Sequence, residues 1–469
     1  MNEKVFKDPI HGYISIPSSY CEYILDTPLM QRLRNIIQTS MRVLYPSAHH
    51  DRFSHTLGTY HLGSIAFHHL LKNIEEKYPR LCKDIIKNHI KYRHSFLIAC
   101  LLHDCAHSPF SHTLEHFYKF NDLPNDLKNE MSKRDINFSE DYKFCKPKQH
   151  ELMSALMVVK IFSSVFENIF KNECDINLIV RCIIGCPHRI KENFTFEFEN
   201  AIISLLNSNA IDVDKLDYIM RDTLTSGFNN MSIDIHRLLS ALTLIKLESE
   251  SFVLGFKKNA LSVIQNVITA RNYLYEWIYC HHKVVYEKDL LIKSIEAVEN
   301  REENKGLITC FFSKDMFEIG KEFNNYYFFM PTDGDLLYML KKYYNEIPEI
   351  KELFSRKHKK SLWKSFAEYD MDFKLKTDAT RRNIKDQAFE ILIDKFKLLE
   401  EDFVILDAKA DVKEINKNEV FIEIDKGCFS FENIFEQNRV KSFDFFYVYL
   451  NKEFYDKKNE IIKYFNKVN

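Results

Sequence analysis

Four positions in this chain carry side chains suited to a divalent metal: His55, the adjacent pair His103-Asp104, and Asp214. Two imidazoles and two carboxylates suit a first-row ion such as Mn, Fe, Zn or Ni, with positions left for water or phosphate. The His-Asp pair closes the run Phe96-Leu97-Ile98-Ala99-Cys100-Leu101-Leu102. A run with no polar face predicts a helix buried on all sides. Buried polar groups at its end need partners, because leaving them unpaired is costly. A metal ion is the economical partner; a capped helix end with solvated histidines is the alternative. Ser108-Pro109 then predicts the start of a second helix, with Ser as N-cap and Pro at the first position. The turn between them would bring His107 and His112 round towards the same spot.

Further chemistry-bearing residues recur at helical spacing. Arg52 lies one turn before His55, where it either clamps an anion beside the metal or pairs with Asp51. Leu205 to Asp222 reads as one helix carrying Asp212, Asp214, Asp217 and Asp222. Ile211, Val213, Leu216, Ile219 and Met220 spread around its circumference, so some of these carboxylates face protein interior rather than forming a solvated acidic face. Lys215, Tyr218 and Asp222 stand at i, i+3 and i+7, a single stripe beside Asp214. A third helix, from about Leu261 to Glu299, carries Arg271, Tyr275, Tyr279 and His282 at i, i+4, i+8 and i+11. That stripe is either core or the lining of a pocket.

The elements that hold these residues follow from composition and pattern. A chain of 469 residues can bury a large core and suggests two or three domains. Gly at 10 and Pro at 11 favour long helices over turn-rich β architecture. Lys+Arg 65 against Asp+Glu 67 gives a net charge of −2, so no global field indicates nucleic acid or membrane as a partner. The Cys residues, 11 in all, are scattered, with Cys82, Cys100 and Cys182 inside apolar runs, which fits reduced thiols. The start of the chain is no signal peptide and no apolar run approaches twenty residues, so a soluble, cytoplasmic protein is expected.

In chain order, residues 4–37 predict an extended segment with turns at Asp8-Pro9 and His11-Gly12, then a helix burying Ile24, Leu29, Leu33 and Ile36. That helix restarts at Asp26-Thr27-Pro28, and Gln31 and Arg34 project one turn on. Arg52 onwards predicts a helix carrying His61, His68 and His69. Residues 120–149 read as a polar surface insertion, and Gln149-His150-Glu151 opens another helix with Leu152, Leu156 and Val159 buried. Residues 300–306 read as a linker. Beyond them lie helical runs at 334–346 and 350–367, a basic patch over 356–360, strands at 403–406, 420–424 and 445–449, and a final helix over 454–467. The expected fold is mainly α, a helical core over 1–300 with a smaller α+β C-terminal lobe over 301–469.

Taken in order, the segments Lys-Val-Phe-Lys-Asp-Pro-Ile-His-Gly, Asp-Thr-Pro-Leu-Met-Gln-Arg-Leu-Arg, Arg-Phe-Ser-His-Thr-Leu-Gly, His-Asp-Cys-Ala-His-Ser-Pro-Phe-Ser-His and Ile-Asp-Val-Asp-Lys-Leu-Asp-Tyr closely resemble the HD-domain metal phosphohydrolases. They look most like the deoxynucleoside triphosphate triphosphohydrolases. The resemblance covers residues 4–290 and thins after 300; no SAM domain is expected ahead of it. It implies an HD-domain helical core in which His55, His103, Asp104 and Asp214 ligate the metal, with Mg accompanying the substrate phosphates. Arg52, Lys215 and Arg271 match cations that hold the triphosphate. His107, His112 and His150 match active-site histidines, with Glu115 and Glu151 orienting them and His112 or His150 as general acid. Gln38 and Asp222 match the pair on the sugar 3′-hydroxyl, and Tyr218 and Tyr279 the aromatics around the sugar. The implied reaction is attack of activated water on the α-phosphorus, giving deoxynucleoside and triphosphate.

Two residues depart from the family pattern: Cys280 stands where a polar amide is expected, and Tyr275 where a histidine is, both bearing on base preference. Lys4, Asp26, Gln31 and Arg34 match residues that bind an activating guanine nucleotide between subunits of the vertebrate enzyme. The resemblance therefore implies an activating GTP or dNTP and a homo-oligomer, dimer or tetramer. Two other functions remain open on the sequence: an HD phosphohydrolase for another nucleotide, monophosphate or signalling, and a nucleotide-sensing effector.

Overall fold

The run ending at Leu102 is the helix around which the others pack. In the computed structural model, which describes residues 2–39, 43–190, 193–228, 232–301, 305–323, 325–408, 415–425, 427–434 and 445–468, every residue from Phe96 to Leu102 is fully buried. The chain reaches it through an antiparallel hairpin, β1 (Glu3–Asp8) and β2 (Gly12–Pro17), with Asp8 opposite Gly12. Thr27 and Pro28 then restart a helical turn as the sequence predicts. Helix α1 (Arg52–Lys77) begins where the Asp51 carboxylate accepts the Ser54 N–H at 2.8 Å. It lies tightly on α2 (His89–Leu102): a Cβ on Gly63 would meet Cys100 Sγ at 2.8 Å.

The segment 120–149 is not a surface insertion. It forms α3 (Leu123–Met131) and a short helix, Phe138–Tyr142, with Leu123, Leu127, Met131 and Phe138 buried. Its apolar stripe at i, i+4 and i+8 is masked in the sequence by the charged residues between. Helices α4 (Gln149–Asn168) and α5 (Ile176–Ile184) follow, and Gly185 ends α5 in the left-handed conformation.

The helix expected over 205–222 is two helices, α6 (Phe194–Leu206) and α7 (Val213–Thr225). Asp212 breaks it: its backbone is extended and its carboxylate caps the Lys215 N–H at 2.8 Å. Strands β3 (Leu242–Lys246) and β4 (Phe252–Lys257) come next. The helix expected over 261–299 is likewise divided. Helix α8 (Leu261–Tyr273) widens into a π-turn, Leu274–Tyr279, and α9 (His282–Glu299) restarts after extended His281, whose ring nitrogen accepts the Lys283 N–H.

Beyond residue 300 the helices include α10 (Asp333–Lys341) and α11 (Pro348–Ser355), the latter stopped by Arg356 at φ 54° rather than continuing to 367, together with Leu307–Phe312, Phe366–Asp372 and Asp378–Glu390. Strands β5 (Lys360–Ser361), β6 (Phe403–Asp407), β7 (Phe421–Ile424), β8 (Gly427–Ser430) and β9 (Phe446–Leu450) follow, then α12 (Lys458–Phe465). β5, β9 and β6 form an antiparallel sheet in that order. β8 and β7 extend the earlier strands into a sheet of order β8-β7-β4-β3, with β4 and β7 parallel.

The fold is mainly α with a smaller α+β portion. Its packing crosses position 300. The larger core runs on through Phe311, Leu336 and Ile350 and takes in Val420 and Ile422. The second core, around Trp363 and Tyr447, begins with Tyr286 and Leu290 of α9. Residues 302–304 of the expected linker lie outside the described residues. The cysteines are all free thiols. Among the described residues no helix is long and apolar enough to cross a membrane.

Candidate metal centre and active site

Helices α1, α2 and α7 deliver the four expected metal ligands to one point. His55 stands in the first turn of α1, His103 and Asp104 follow the last residue of α2, and Asp214 opens α7. His55 Nε2 lies 3.0 Å from Asp214 Oδ1 and 3.8 Å from Asp104 Oδ2. His103 Nε2 lies 3.5 Å from Asp104 Oδ2 and 3.8 Å from Asp214 Oδ1. Each imidazole is aimed by its other nitrogen: His55 Nδ1 donates to Asp217 Oδ2 at 2.7 Å and His103 Nδ1 to the Cys100 carbonyl at 2.9 Å. His103 Nε2 is buried with no hydrogen-bond partner. An orphaned, pre-aimed imidazole nitrogen facing two carboxylates fits a divalent cation.

The electrostatics agree. Burial opposes the charged form of Asp104, but Arg52 and the histidines around it hold its carboxyl well below the usual range. Burial opposes the charged form of His55 as well, yet its hydrogen bonds to Asp214 and Asp217 raise it to about 9, so a bound cation must displace a proton there.

Behind His55 stands a charged relay that local sequence pattern gave no reason to assemble. Asp217 also accepts from His11 Nε2 at 2.6 Å and from Arg221 at 2.9 Å, and Arg221 reaches Asp8 at 2.9 Å. Asp217 lies in the same acidic run as Asp214, one turn on, which is the signal that marks it; His11 has none beyond its place in the first segment.

The histidines expected to do chemistry form a second group. Their chain path differs from the one expected, since Ser108 caps no helix. The chain instead makes short 3₁₀ turns, Ser111–Thr113 and Glu115–Phe120, with Phe110 and Ser111 at φ 57° and 54°. Ser108 Oγ donates to the Ser111 carbonyl at 2.8 Å, and the Phe110 N–H is taken by Asp333 Oδ1 at 2.7 Å. These turns still bring His107 within 4.8 Å of His112 and 4.3 Å of His150, ring centre to ring centre. His150 Nε2 lies 3.9 Å from Asp104 Oδ1, which joins the two groups.

Glu115 holds both His112 Nδ1 and His150 Nδ1 at 2.9 Å. Glu151 does not share this role: it accepts the Lys148 backbone N–H at 2.7 Å and caps α4. Burial pushes His107 well down, whereas the His112 side chain is about half exposed. For His150 burial is outweighed by the Glu115 carboxylate, and its pKa is raised. Glu115 itself is held far below its ordinary value, burial being outweighed by the two histidines.

With one exception, the remaining expected residues contact one another or the two groups above. Arg52 donates to Asp104 and, from Nε, to Ser111 Oγ at 2.8 Å. Arg271 donates to the Tyr218 hydroxyl at 3.3 Å and stacks 4.5 Å from the Tyr275 ring centre. Tyr279 donates to Asp222, whose other oxygen accepts from His50 Nε2 at 2.6 Å; His50 was not foreseen. Gln38 Oε1 is buried without a partner. Lys215 is the exception: its ammonium is engaged by the Ser208 carbonyl at 2.8 Å and by Asp212, bracing the helix start.

The four expected regulatory residues form two neighbouring pairs. Lys4 Nζ meets Asp26 at 2.8 Å with both side chains about half exposed, and Arg34 Nε donates to Gln31 Oε1 at 2.9 Å.

No protein-family model matches the chain. Among curated proteins it is 26% identical over 405 residues to an uncharacterized protein of Mycoplasma genitalium, MG461, covering 80% of this chain and 83% of that one. It is 26% identical over 387 residues to the deoxynucleoside triphosphate triphosphohydrolase SAMHD1 of Gallus gallus, covering 78% of this chain and 56% of that one. An HD domain-containing protein of Acanthamoeba polyphaga mimivirus, L394, is 27% identical over 298 residues, 62% of this chain and 57% of that one. The chain spans about half the length of other curated relatives it matches. A solved structure of a hypothetical protein from Aquifex aeolicus shares the fold, at a TM-score of 0.66 and 20% identity, covering 98% of this chain and 100% of that one.

Proposed function

We propose, for a chain whose homologues belong to an HD-domain, dNTPase-like family, that it is a metal-dependent phosphohydrolase converting dNTPs to deoxynucleoside and inorganic triphosphate. The observation that supports this reading best is the convergence of His55, His103, Asp104 and Asp214 beside the His107–His112–His150 group. A divalent ion held by those four groups, Mn, Fe, Zn or Ni, would supply Lewis acidity to a phosphoryl oxygen and to water. Mg would accompany the substrate phosphates.

The chain's own residues account for the rest. Arg52, which also bonds Asp104 and Ser111, and Arg271, which bonds the Tyr218 hydroxyl, would present cations to the phosphates. Lys215 would join them only by leaving its partners at the α7 start. Gln38 Oε1 and the Asp222 carboxylate are acceptors for a 3′-hydroxyl, and the rings of Tyr218 and Tyr279 bound the sugar. His150, whose pKa Glu115 raises, would give its Nε2 proton to the departing 5′-oxygen; His107, lowered by burial, is the poorer donor. His112, half exposed and bonded to the same carboxylate, is the alternative donor.

The test is incubation of the metal-loaded protein with each of the four dNTPs and separation of the products. Deoxynucleoside plus triphosphate supports the reading. Orthophosphate or pyrophosphate as the first inorganic product, or hydrolysis confined to a monophosphate or signalling nucleotide, overturns it in favour of another HD phosphohydrolase activity.

We further propose that Lys4, Asp26, Gln31 and Arg34 bind an activating GTP or dNTP between copies of the chain, and that the active form is a homo-oligomer. A carboxylate can accept from the guanine N1–H and 2-amino group, and an arginine can stack on a base or meet its O6. The exposure of Lys4, Asp26 and Arg34 supports this.

A further inference from the structure

Two cysteines from separate segments meet outside the metal centre. Cys145 follows the short helix Phe138–Tyr142 and lies five residues ahead of His150. Cys186 follows Gly185, the residue that ends α5. Their thiols hydrogen-bond to each other. A buried ion pair frames them. Arg181 Nη2 lies 2.8 Å from Asp141 Oδ2 and Arg181 Nη1 3.9 Å from Cys186 Sγ, while Cys145 Sγ lies 3.6 Å from the Asp141 carbonyl oxygen. Cys145 is partly exposed and Cys186 fully buried.

These surroundings give the two sulfurs different characters. The hydrogen bond from Cys186 and the Arg181 charge lower the Cys145 pKa against its partial burial. Every other thiol of the chain is raised instead. Thiolate character and exposure together set which cysteine an oxidant reaches first. Cys186 keeps its proton directly behind that sulfur, the position of a resolving thiol. We propose that Cys145 and Cys186 are an oxidative modification site, which a peroxide closes as a disulfide. The Cys145 thiolate takes one oxygen from the peroxide; the O–O bond breaks and the other oxygen leaves as water. The Cys186 sulfur then attacks the sulfenic sulfur, the S–O bond breaks, and the hydroxyl departs as water with the Cys186 proton. Two thiols are oxidised and one hydrogen peroxide is reduced to two waters.

The bond would tie the chain entering α4 to the end of α5. A disulfide holds its sulfurs about 2 Å apart, well inside the reach of a thiol hydrogen bond, so the segment from Cys145 to His150 must shift to form it. That segment is fixed at its far end by the Lys148 N–H on Glu151 at 2.7 Å and the His150 N–H on Glu115 at 3.3 Å. Displacing a reacting group by about 1 Å can cost about 10²-fold in rate. The oxidised chain is therefore the slower form, a consequence that rests on the role of His150 given above.

The experiment treats the metal-loaded chain with hydrogen peroxide, alkylates the remaining thiols and maps the peptides by mass spectrometry, before and after dithiothreitol. Nucleotide hydrolysis is measured on the same samples, for wild type, Cys145→Ser and Cys186→Ser, each checked by thermal unfolding. Wild type should yield a peptide linked through Cys145 and Cys186 before its other cysteines react, and neither variant should. Cys186→Ser should stop at a sulfenic acid on Cys145 that dimedone traps. Hydrolysis by the oxidised wild type should fall about tenfold or more and return with dithiothreitol, while both variants stay within about twofold of their untreated rates. Cys145→Ser decides the matter if the buried Cys186→Ser does not fold. Cys145 remaining alkylatable while other thiols oxidise overturns the proposal. A linked peptide with undiminished hydrolysis overturns the connection to His150. If wild type hydrolyses no nucleotide, the proposed function falls and the peptide map alone decides the modification site.

Discussion

In the proposed function Glu115 would tune the chemistry, since one carboxylate lies 2.9 Å from two histidine nitrogens. His150 is raised because that charge outweighs its burial, so its acid form persists to higher pH than an ordinary imidazole's. If His150 is the proton donor, activity is lost as pH rises through its raised pKa. Glu115→Gln removes the charge and leaves the desolvation, so the alkaline limb of the kcat profile should move to lower pH, with kcat at pH 7 down about 10²-fold, the usual worth of a general acid. A pH–rate series on both proteins checks this; an unmoved alkaline limb means the proton comes from elsewhere. At this scale the sequence was most informative. His55, His103, Asp104 and Asp214 were readable because two carboxylates and two imidazoles sat on runs otherwise committed to the interior. His50 and His11 were not, because their partners Asp222 and Asp217 are more than 170 positions away.

The elements position the site through close approach and borrowed hydrogen bonds. Helix α7 can bring Asp214 to His55 only because α1 has Gly58 where they meet: a Cβ there would fall 1.8 Å from Asp217 Oδ1 and 2.5 Å from Arg221 Nη2. Gly58→Ala should therefore destabilise the fold by about 1–3 kcal/mol, the range for overpacked sites, read as a lower urea midpoint, and should weaken metal retention by displacing Asp217 from His55.

A second support comes from beyond residue 300. Asp333 accepts the backbone N–H groups of Ile37 and Phe110 at 2.8 and 2.7 Å, fixing the turn that carries His107 and His112. Asp333→Ala strands both donors at about 1–3 kcal/mol each, and kcat should fall further than global stability explains. An Asp333→Ala protein with wild-type kcat at a temperature where it is fully folded would contradict that link. The sequence shows helices and strands but not these breaks. Asp212 and His281 read as mid-helix residues by period, yet both become caps because a side-chain acceptor for a nearby N–H competes with helix continuation.

At the scale of the whole molecule, the hydrophobic packing makes the later third of the chain part of the site's support. Pro331 and His107 both offer their carbonyls to Arg32, at 2.7 and 2.8 Å, so the turn after α2 and the segment before α10 share one buried guanidinium. The parallel pairing of β4 with β7 could not be foreseen, since it joins strands more than 160 residues apart without any local signal. If the surface pairs Lys4–Asp26 and Gln31–Arg34 bind nucleotide between subunits, ligand and assembly are linked, and each promotes the other by mass action. Sedimentation of the wild type should then show a larger species when GTP or a second dNTP is added, accompanied by faster hydrolysis, and Asp26→Ala should lose both responses. Full activity and unchanged size without any second nucleotide would remove the regulatory reading and leave the catalytic one in place.

The claim that everything else depends on is that His55, His103, Asp104 and Asp214 hold a metal on which hydrolysis depends. It is tested most directly by measuring, on the same preparations, the metal content and the rate of triphosphate release for wild type, Asp104→Ala and Asp214→Ala. Removing one carboxylate takes away a charged ligand from a site that His103 Nε2 otherwise leaves unsatisfied. The account predicts about one divalent ion per wild-type chain, and variants that remain folded but lose both the ion and the activity. Wild-type turnover in either variant with its metal content unchanged would contradict it.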